Sequence, residues 1–278
     1  MDLSIKLLKS VVNALIVFGA LISPVYAKQA VQHSVLATNY VVQDLDTGEI
    51  ITEKNSLEIR SIASITKVMT AIVVLDAGQD LNEAIIYRPF KGVSSKLPNG
   101  ASITRAKLLL ITLMSSDNGA AKTLATHYPG GEDAAIAAMN SKARVLNMLD
   151  SQFSDPTGLY TDNLSTARDL IKLISYAYSY PIIRDFSTKS SLRVEISGKK
   201  KRYIDFRTTN YLVSNDKHVL LSKTGWLQAS GGCLIMIVED QGKRLAVILL
   251  NSRNTITRIR DGVLLTGYNN VRNQRNFR

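Results

Sequence analysis

The sequence predicts an α+β fold: an antiparallel sheet flanked by helices, with an all-helical subdomain inserted between its strands. Three observations predict it. A strand–turn–strand pattern stands near the N-terminus, helical periodicity runs from Thr104 to Tyr178, and past Pro181 the apolar pattern shifts to short strand-like runs. Strands at both ends of a helical middle are united as one sheet completed by both ends of the chain.

The first segment stands outside this fold. Lys6 and Lys9 precede the run Val11 to Ile22, apolar except for Asn13, and Pro24-Val25-Tyr26-Ala27 follows. A charged start, a short greasy middle and small residues at the cleavage positions predict a secretory signal peptide over residues 1–27, and so a periplasmic protein. The greasy run falls short of the ~20 residues a spanning helix needs. The tail from Asn269 to Arg278 lacks the regularly spaced apolar residues of an anchoring helix. Residues 28–278 are therefore expected as a single domain without a stable membrane anchor, its helical subdomain at about 90–185.

Within the domain, Tyr40–Leu45 and Glu49–Glu53 flank the turn residues Asp46-Thr47-Gly48 as a hairpin. Ile62 to Leu75 opens with small and polar residues and then turns almost wholly apolar, as does a helix buried on nearly every side; Gly78 stops it. Pro89, Gly92, Pro98, Asn99 and Gly100 break up the next stretch. Thr104 starts a helix that reaches Met114, periodicity resumes through Ala120–Ala125, and Asp133 to Leu149 forms an Ala-rich helix. Asp155-Pro156-Thr157-Gly158 is a turn, and a helix capped by Ser165 or Thr166 runs to Tyr178. Strands are expected at Leu192–Ile196, Val219–Lys223, Cys233–Val238 and Leu245–Leu250, the last two joined by Asp240-Gln241-Gly242. Ile256 to Thr266 closes the fold as a helix.

Of the 278 residues 45% are hydrophobic and 21% charged, enough for a well-filled core. The formal charge is +11; Asp2, Lys6 and Lys9 leave with the signal, giving +10. Export argues against nucleic acid as the partner of this charge and favours an anionic extracytoplasmic polymer such as the cell wall. The run Lys199-Lys200-Lys201-Arg202 reads as a solvated turn between strands. Cys233 is the one cysteine, so no intrachain disulfide forms, and it reads as a small buried hydrophobe in a strand. His33, His127 and His218 are scattered without a metal-ligand pattern, so no metal and no cofactor are expected.

The chemistry gathers in three short motifs. Ser64 and Lys67, three apart, share one face of the buried helix, where a hydroxyl and an amine can act as nucleophile and base. Alone, Ser64 serves equally as a helix cap. Ser116-Asp117-Asn118 lies between helical stretches, and Lys223-Thr224-Gly225 ends a strand. In this order the three resemble the signature of serine penicillin-binding proteins and β-lactamases.

The resemblance extends to Ile62–Ala71, to Leu113–Asn118 with Ala120-Ala121, to Asp155–Leu159 with Ser165–Leu170, and to Lys223-Thr224-Gly225-Trp226 with Gly231–Leu234. It spans roughly Val35 to Leu250 and is similar to the D-alanyl-D-alanine endopeptidase branch of low-molecular-mass penicillin-binding proteins. Thr208-Thr209-Asn210 departs from the Asn-Thr-Asn frequent in that family.

The resemblance implies a fold of the DD-peptidase and β-lactamase kind, peptidoglycan stem peptides as substrate and β-lactams as covalent inhibitors. Ser64 becomes the nucleophile, Lys67 its base and Ser116 the proton relay to the leaving amine. Asn118 holds Lys67 and the substrate amide. Lys223 and Thr224 bind the leaving-side carboxylate, with Gly225 completing that motif. The N–H groups of Ser64 and Trp226 form the oxyanion hole.

Lys67 can act only when neutral, its pKa lowered from about 10.4 by burial and by Lys223. These motifs leave carboxypeptidase and endopeptidase both open, and resemblance favours the endopeptidase. The Glu-x-x-Leu-Asn segment of class A β-lactamases has no counterpart here, so slow deacylation and inhibition by penicillin are expected.

Overall fold

The computed structural model describes residues 34–196, 202–215 and 217–266. Residues 1–27 of the expected signal peptide, Lys199–Lys201 and the tail Asn269–Arg278 lie outside the described residues. Every strand and α-helix named below lies within Leu36–Arg278.

In chain order the strands are β1 (Asn39–Asp44), β2 (Ile50–Lys54), β3 (Arg60–Ser61), β4 (Ala84–Ile86), β5 (Ser102–Thr104), β6 (Leu164–Ser165), β7 (Ser191–Ile196), β8 (Arg202–Arg207), β9 (Val219–Leu227), β10 (Gly231–Asp240) and β11 (Lys243–Ser252). The helices are α1 (Thr66–Asp76), α2 (Arg105–Met114), α3 (Asn118–Thr126), α4 (Gly131–Val145), α5 (Ala167–Tyr178), α6 (Pro181–Ser187), α7 (Tyr211–Asn215) and α8 (Thr255–Leu265).

The main sheet is antiparallel with strand order β2-β1-β11-β10-β9. Both ends of the chain build it, as expected: Asn39 in β1 stands opposite Leu250 in β11. The β10–β11 hairpin turns at Gln241 and Gly242, both with positive φ, the geometry a tight two-residue turn needs. Buried faces of β10 and β11 and the helices of the middle share one apolar core, in which Ile72, Leu108, Leu124 and Ile174 belong to the same cluster as Ile235 and Ile248.

Helix α1 is the axle of this core. Every residue from Thr66 to Val74 is buried, because an apolar surface on all sides finds burial only in the centre of the packing. Gly78, at φ +64°, turns the chain away after it. Thr104 and Thr166 cap α2 and α5 by accepting from Lys107 N and Asp169 N.

Four expectations change. The β4–β5 pair brackets the breakers Pro89 to Gly100, and α6 starts at Pro181, where the chain was expected to leave helical structure. Proline at the first helical position has no N–H to lose and its φ is already helical. Helix α4 ends at Val145 rather than Leu149, since Asn147 adopts φ +59°. Strand β9 runs on to Leu227, so Lys223-Thr224-Gly225 lies inside a strand rather than at its end.

Candidate active site

Ser64 sits in a single 3-10 turn, Ala63–Ile65, that leads directly into α1. Ala63 takes φ +46°, a left-handed conformation that turns the chain sharply into the helix. One turn on, Lys67 is 0% exposed. Its amine donates to Ser64 Oγ at 2.9 Å, Asn118 Oδ1 at 2.7 Å and the Thr157 carbonyl at 2.5 Å. Burial lowers its pKa from 10.5 to about 7, while the negative charges of Asp155 and Asp117 pull the other way. A neutral amine in this position has a lone pair with which to take the Ser64 proton.

Ser116 occupies the turn between α2 and α3 with φ +60°, a strained conformation for a residue with a side chain. Asp117 holds that turn in place. It caps α3 by accepting from Ala120 N at 2.9 Å, and it accepts from Ser95 Oγ at 2.7 Å and Lys96 N at 2.9 Å. With the turn pinned, the Asn118 amide presents its oxygen to Lys67 and its nitrogen to Ser94 Oγ at 3.3 Å.

From β9, the Lys223 amine donates to Ser116 Oγ at 2.8 Å and the Thr224 carbonyl at 2.6 Å. Burial, then the charges of Lys67 and Arg258, hold its pKa well below the usual lysine value. Thr224 Oγ1 meets Thr209 Oγ1 at 2.6 Å. Gly225 packs so tightly that a Cβ there would stand 3.0 Å from Ser64 N. The next residue is Trp226, 53% exposed, whose N–H was the expected companion of the Ser64 N–H. The structure thus brings seven of the eight expected residues to one place, through direct bonds or through the Gly225–Ser64 contact, and Trp226 follows Gly225 in β9.

Residues 26–254 match the Peptidase S11 family, described as D-alanyl-D-alanine carboxypeptidase. The chain belongs to this family. A D-alanyl-D-alanine endopeptidase of Escherichia coli (strain K12) is 40% identical over 241 residues, 84% of this chain and 77% of that protein. One from Pseudomonas aeruginosa is 35% identical over 249 residues, 87% of this chain and 80% of that one. Among solved structures, the Streptomyces K15 DD-transpeptidase superposes with a TM-score of 0.79 at 25% identity, covering 84% of this chain and 97% of that one. Penicillin-binding protein D2 from Listeria monocytogenes, in a cefotaxime-bound form, gives 0.74 at 26% identity, covering 84% and 96%. The DD-peptidase fold expected from the motifs is the fold of this chain.

Several site residues of this Peptidase S11 enzyme were not singled out from the sequence. The Thr157 carbonyl is a backbone group and carries no side-chain signature. Gly158 was read as part of a turn and of the family resemblance but given no role, yet at φ +73° a Cβ there would lie 1.9 Å from the Ala63 carbonyl oxygen. Thr209 lies in the segment noted as a departure from the family pattern, and its bond to Thr224 gives that segment a place in the site. Arg258, 3% exposed on α8, donates to the Gly225 carbonyl at 2.8 Å and steadies the strand from behind. Nothing in its sequence surroundings marked it.

Proposed function

We propose that this chain is a serine D-alanyl-D-alanine endopeptidase that opens D-Ala–diaminopimelate cross-links of peptidoglycan through an acyl-enzyme on Ser64. One observation carries the reading: a fully buried lysine amine bonded at once to the Ser64 hydroxyl and to Asn118, beside a second buried lysine bonded to the Ser116 hydroxyl.

Ser64 Oγ attacks the carbonyl carbon of the D-alanine, and its proton passes to the neutral Lys67 amine. Negative charge grows on the carbonyl oxygen, where the N–H groups of Ser64 and Trp226 receive it; donors of this kind contribute about 2.7–4 kcal/mol each. Ser116, held by Lys223, relays a proton to the departing amine. Lys223 and Thr224 hold the carboxylate on the leaving side, Gly225 lets the strand approach Ser64, and Asn118 orients Lys67 and the substrate amide. Water then attacks the ester and frees Ser64.

β-Lactams enter the same route and stay, because the Glu-x-x-Leu-Asn segment of class A β-lactamases has no counterpart in the sequence. The periplasm is the compartment, reached by cleavage of residues 1–27. The mature chain 28–278 acts as one domain whose helical part, about 90–185, takes in α2 to α5.

Endopeptidase names among the relatives support the cross-link as substrate, and the family description favours a second reading, carboxypeptidase. Digestion of purified dimeric and monomeric pentapeptide muropeptides, with products followed by mass, separates them. Dimers cut to monomers support the proposal; loss of one D-alanine from monomers with dimers untouched moves the assignment to carboxypeptidase. Cleavage by Ser64→Ala would remove Ser64 as nucleophile.

A further inference from the structure

Residues 152–165 form a closed loop beside the nucleophile. Gln152 and Leu164 exchange both backbone bonds at 2.9 Å, while Ser61 and Arg60 pair with Leu164 and Ser165. Compact loops whose ends meet are filled by their own side chains, and here one carboxylate fills the space. Asp155 is 3% exposed. Its Oδ1 accepts from Thr157 N at 2.6 Å, from Gly158 N at 2.8 Å and from the Thr157 hydroxyl. Its Oδ2 accepts from the Asn163 amide and, at 3.4 Å, from Tyr160 N.

The Thr157 hydroxyl also accepts from Leu159 N at 3.1 Å, so its own proton is the one given to Asp155. Each of these partners is a donor, as an ionised carboxylate requires, and each is neutral. Among the described residues no cation bonds to Asp155, so its charge is satisfied in these hydrogen bonds alone.

The backbone that Asp155 grips is the backbone that touches the nucleophile and its base. The Thr157 carbonyl accepts from Lys67, and Gly158 lies against Ala63 and Ser64 N. Asp155 is also the leading opposite charge acting on Lys67, ahead of Asp117 from the cap of α3. Lys67 and Arg258 of α8 in turn act with positive charge on the buried amine of Lys223 in β9.

We propose that Asp155 is a positioning residue that fixes where the Lys67 amine sits and supplies the buried counter-charge it faces, a role that rests on the reading of Lys67 as the base. The loop carries this role through a single peptide relay: the carboxylate accepts from Gly158 N–H, and the Thr157 C=O at the other end of that peptide accepts from the amine.

The test is the second-order rate of Ser64 acylation by a fluorescent penicillin between pH 5 and 9, with the adduct located by mass and thermal unfolding followed alongside. Asp155→Asn removes the charge and keeps the shape. The exchange Asp155→Asn/Asn163→Asp restores a matched donor and acceptor while moving the charge away from Thr157. Thr157→Val removes one donor and leaves the charge.

In Asp155→Asn the half-maximal pH moves about half a unit to one unit toward acid, since an amine that loses an opposite charge gives up its proton more easily. Its plateau falls about tenfold as the carbonyl loosens. The exchange variant recovers the plateau and keeps the acid shift, and Thr157→Val lowers the plateau without a shift. Folded Asp155→Asn and exchange variants that keep the wild-type half-maximal pH overturn the proposal. If Asp155→Asn does not fold, the exchange variant decides alone. A wild-type profile flat across this range, or an adduct elsewhere than Ser64, sinks the reading of Lys67 or Ser64 itself and this proposal with it.

Discussion

Replacing Gly158 by alanine tests how far the site depends on the loop that backs it. The new Cβ would stand 1.9 Å from the Ala63 carbonyl oxygen and 2.4 Å from its carbon, where contacts under 3.0 Å are essentially never seen. Loop and turn must therefore separate by more than an ångström, and the new residue must also hold φ +73°, which costs about 1–2 kcal/mol for an L side chain. Either movement lengthens the 2.5 Å bond from Lys67 to the Thr157 carbonyl beyond hydrogen-bond range. A misplacement of about 1 Å costs roughly a hundredfold in rate. Acylation by a fluorescent penicillin in Gly158→Ala is accordingly expected to fall about a hundredfold while the protein still unfolds cooperatively. A folded variant acylated within about threefold of wild type would refute the argument that this contact sets the geometry.

Other outcomes follow from the same coordinates. With the Lys67 pKa at about 7, the neutral amine makes up about nine-tenths of the population at pH 8 and one-tenth at pH 6, so acylation falls about tenfold as the pH drops between them. Lys67→Arg, which stays charged, removes acylation throughout that range. Thr209→Val deprives Thr224 Oγ1 of its partner and should weaken hydrolysis of muropeptides about two- to tenfold, chiefly through KM, as expected for one lost hydrogen bond. Ile72→Ala, in the middle of α1, should lower stability by about 2–5 kcal/mol in urea unfolding. Cys233, fully buried with its thiol pKa pushed up to about 11, should resist a thiol reagent in native protein and react once urea unfolds it.

What could be read in advance depended on how local the cause was. The Asp46-Thr47-Gly48 hairpin, the almost wholly apolar surface of α1 and the Thr166 cap each come from neighbours in sequence, and each was legible. Helix α4 was overextended because Val145 and Leu149 continue its apolar spacing, yet both are 74% exposed; left-handed Asn147 ends the helix. Strand β8, with its charged Arg202, Asp205 and Arg207, has no apolar run to announce it and is defined by its pairing with β7. In the site, spacing exposed Ser64 and Lys67, and the resemblance of three ordered motifs to a family signature exposed Ser116, Asn118 and Lys223. The Thr157 carbonyl and the Arg258 guanidinium become partners of Lys67 and Gly225 only when distant segments meet.

The position of β11 between β1 and β10 has a consequence for how the molecule comes into being. The first strand made must wait for the last before it has a neighbour on its inner side, and only then is the floor beneath α5 complete. Contacts between such remote segments form late and slowly. A chain of this kind keeps its main sheet open, with β1 lacking its inner neighbour, until β11 has been made.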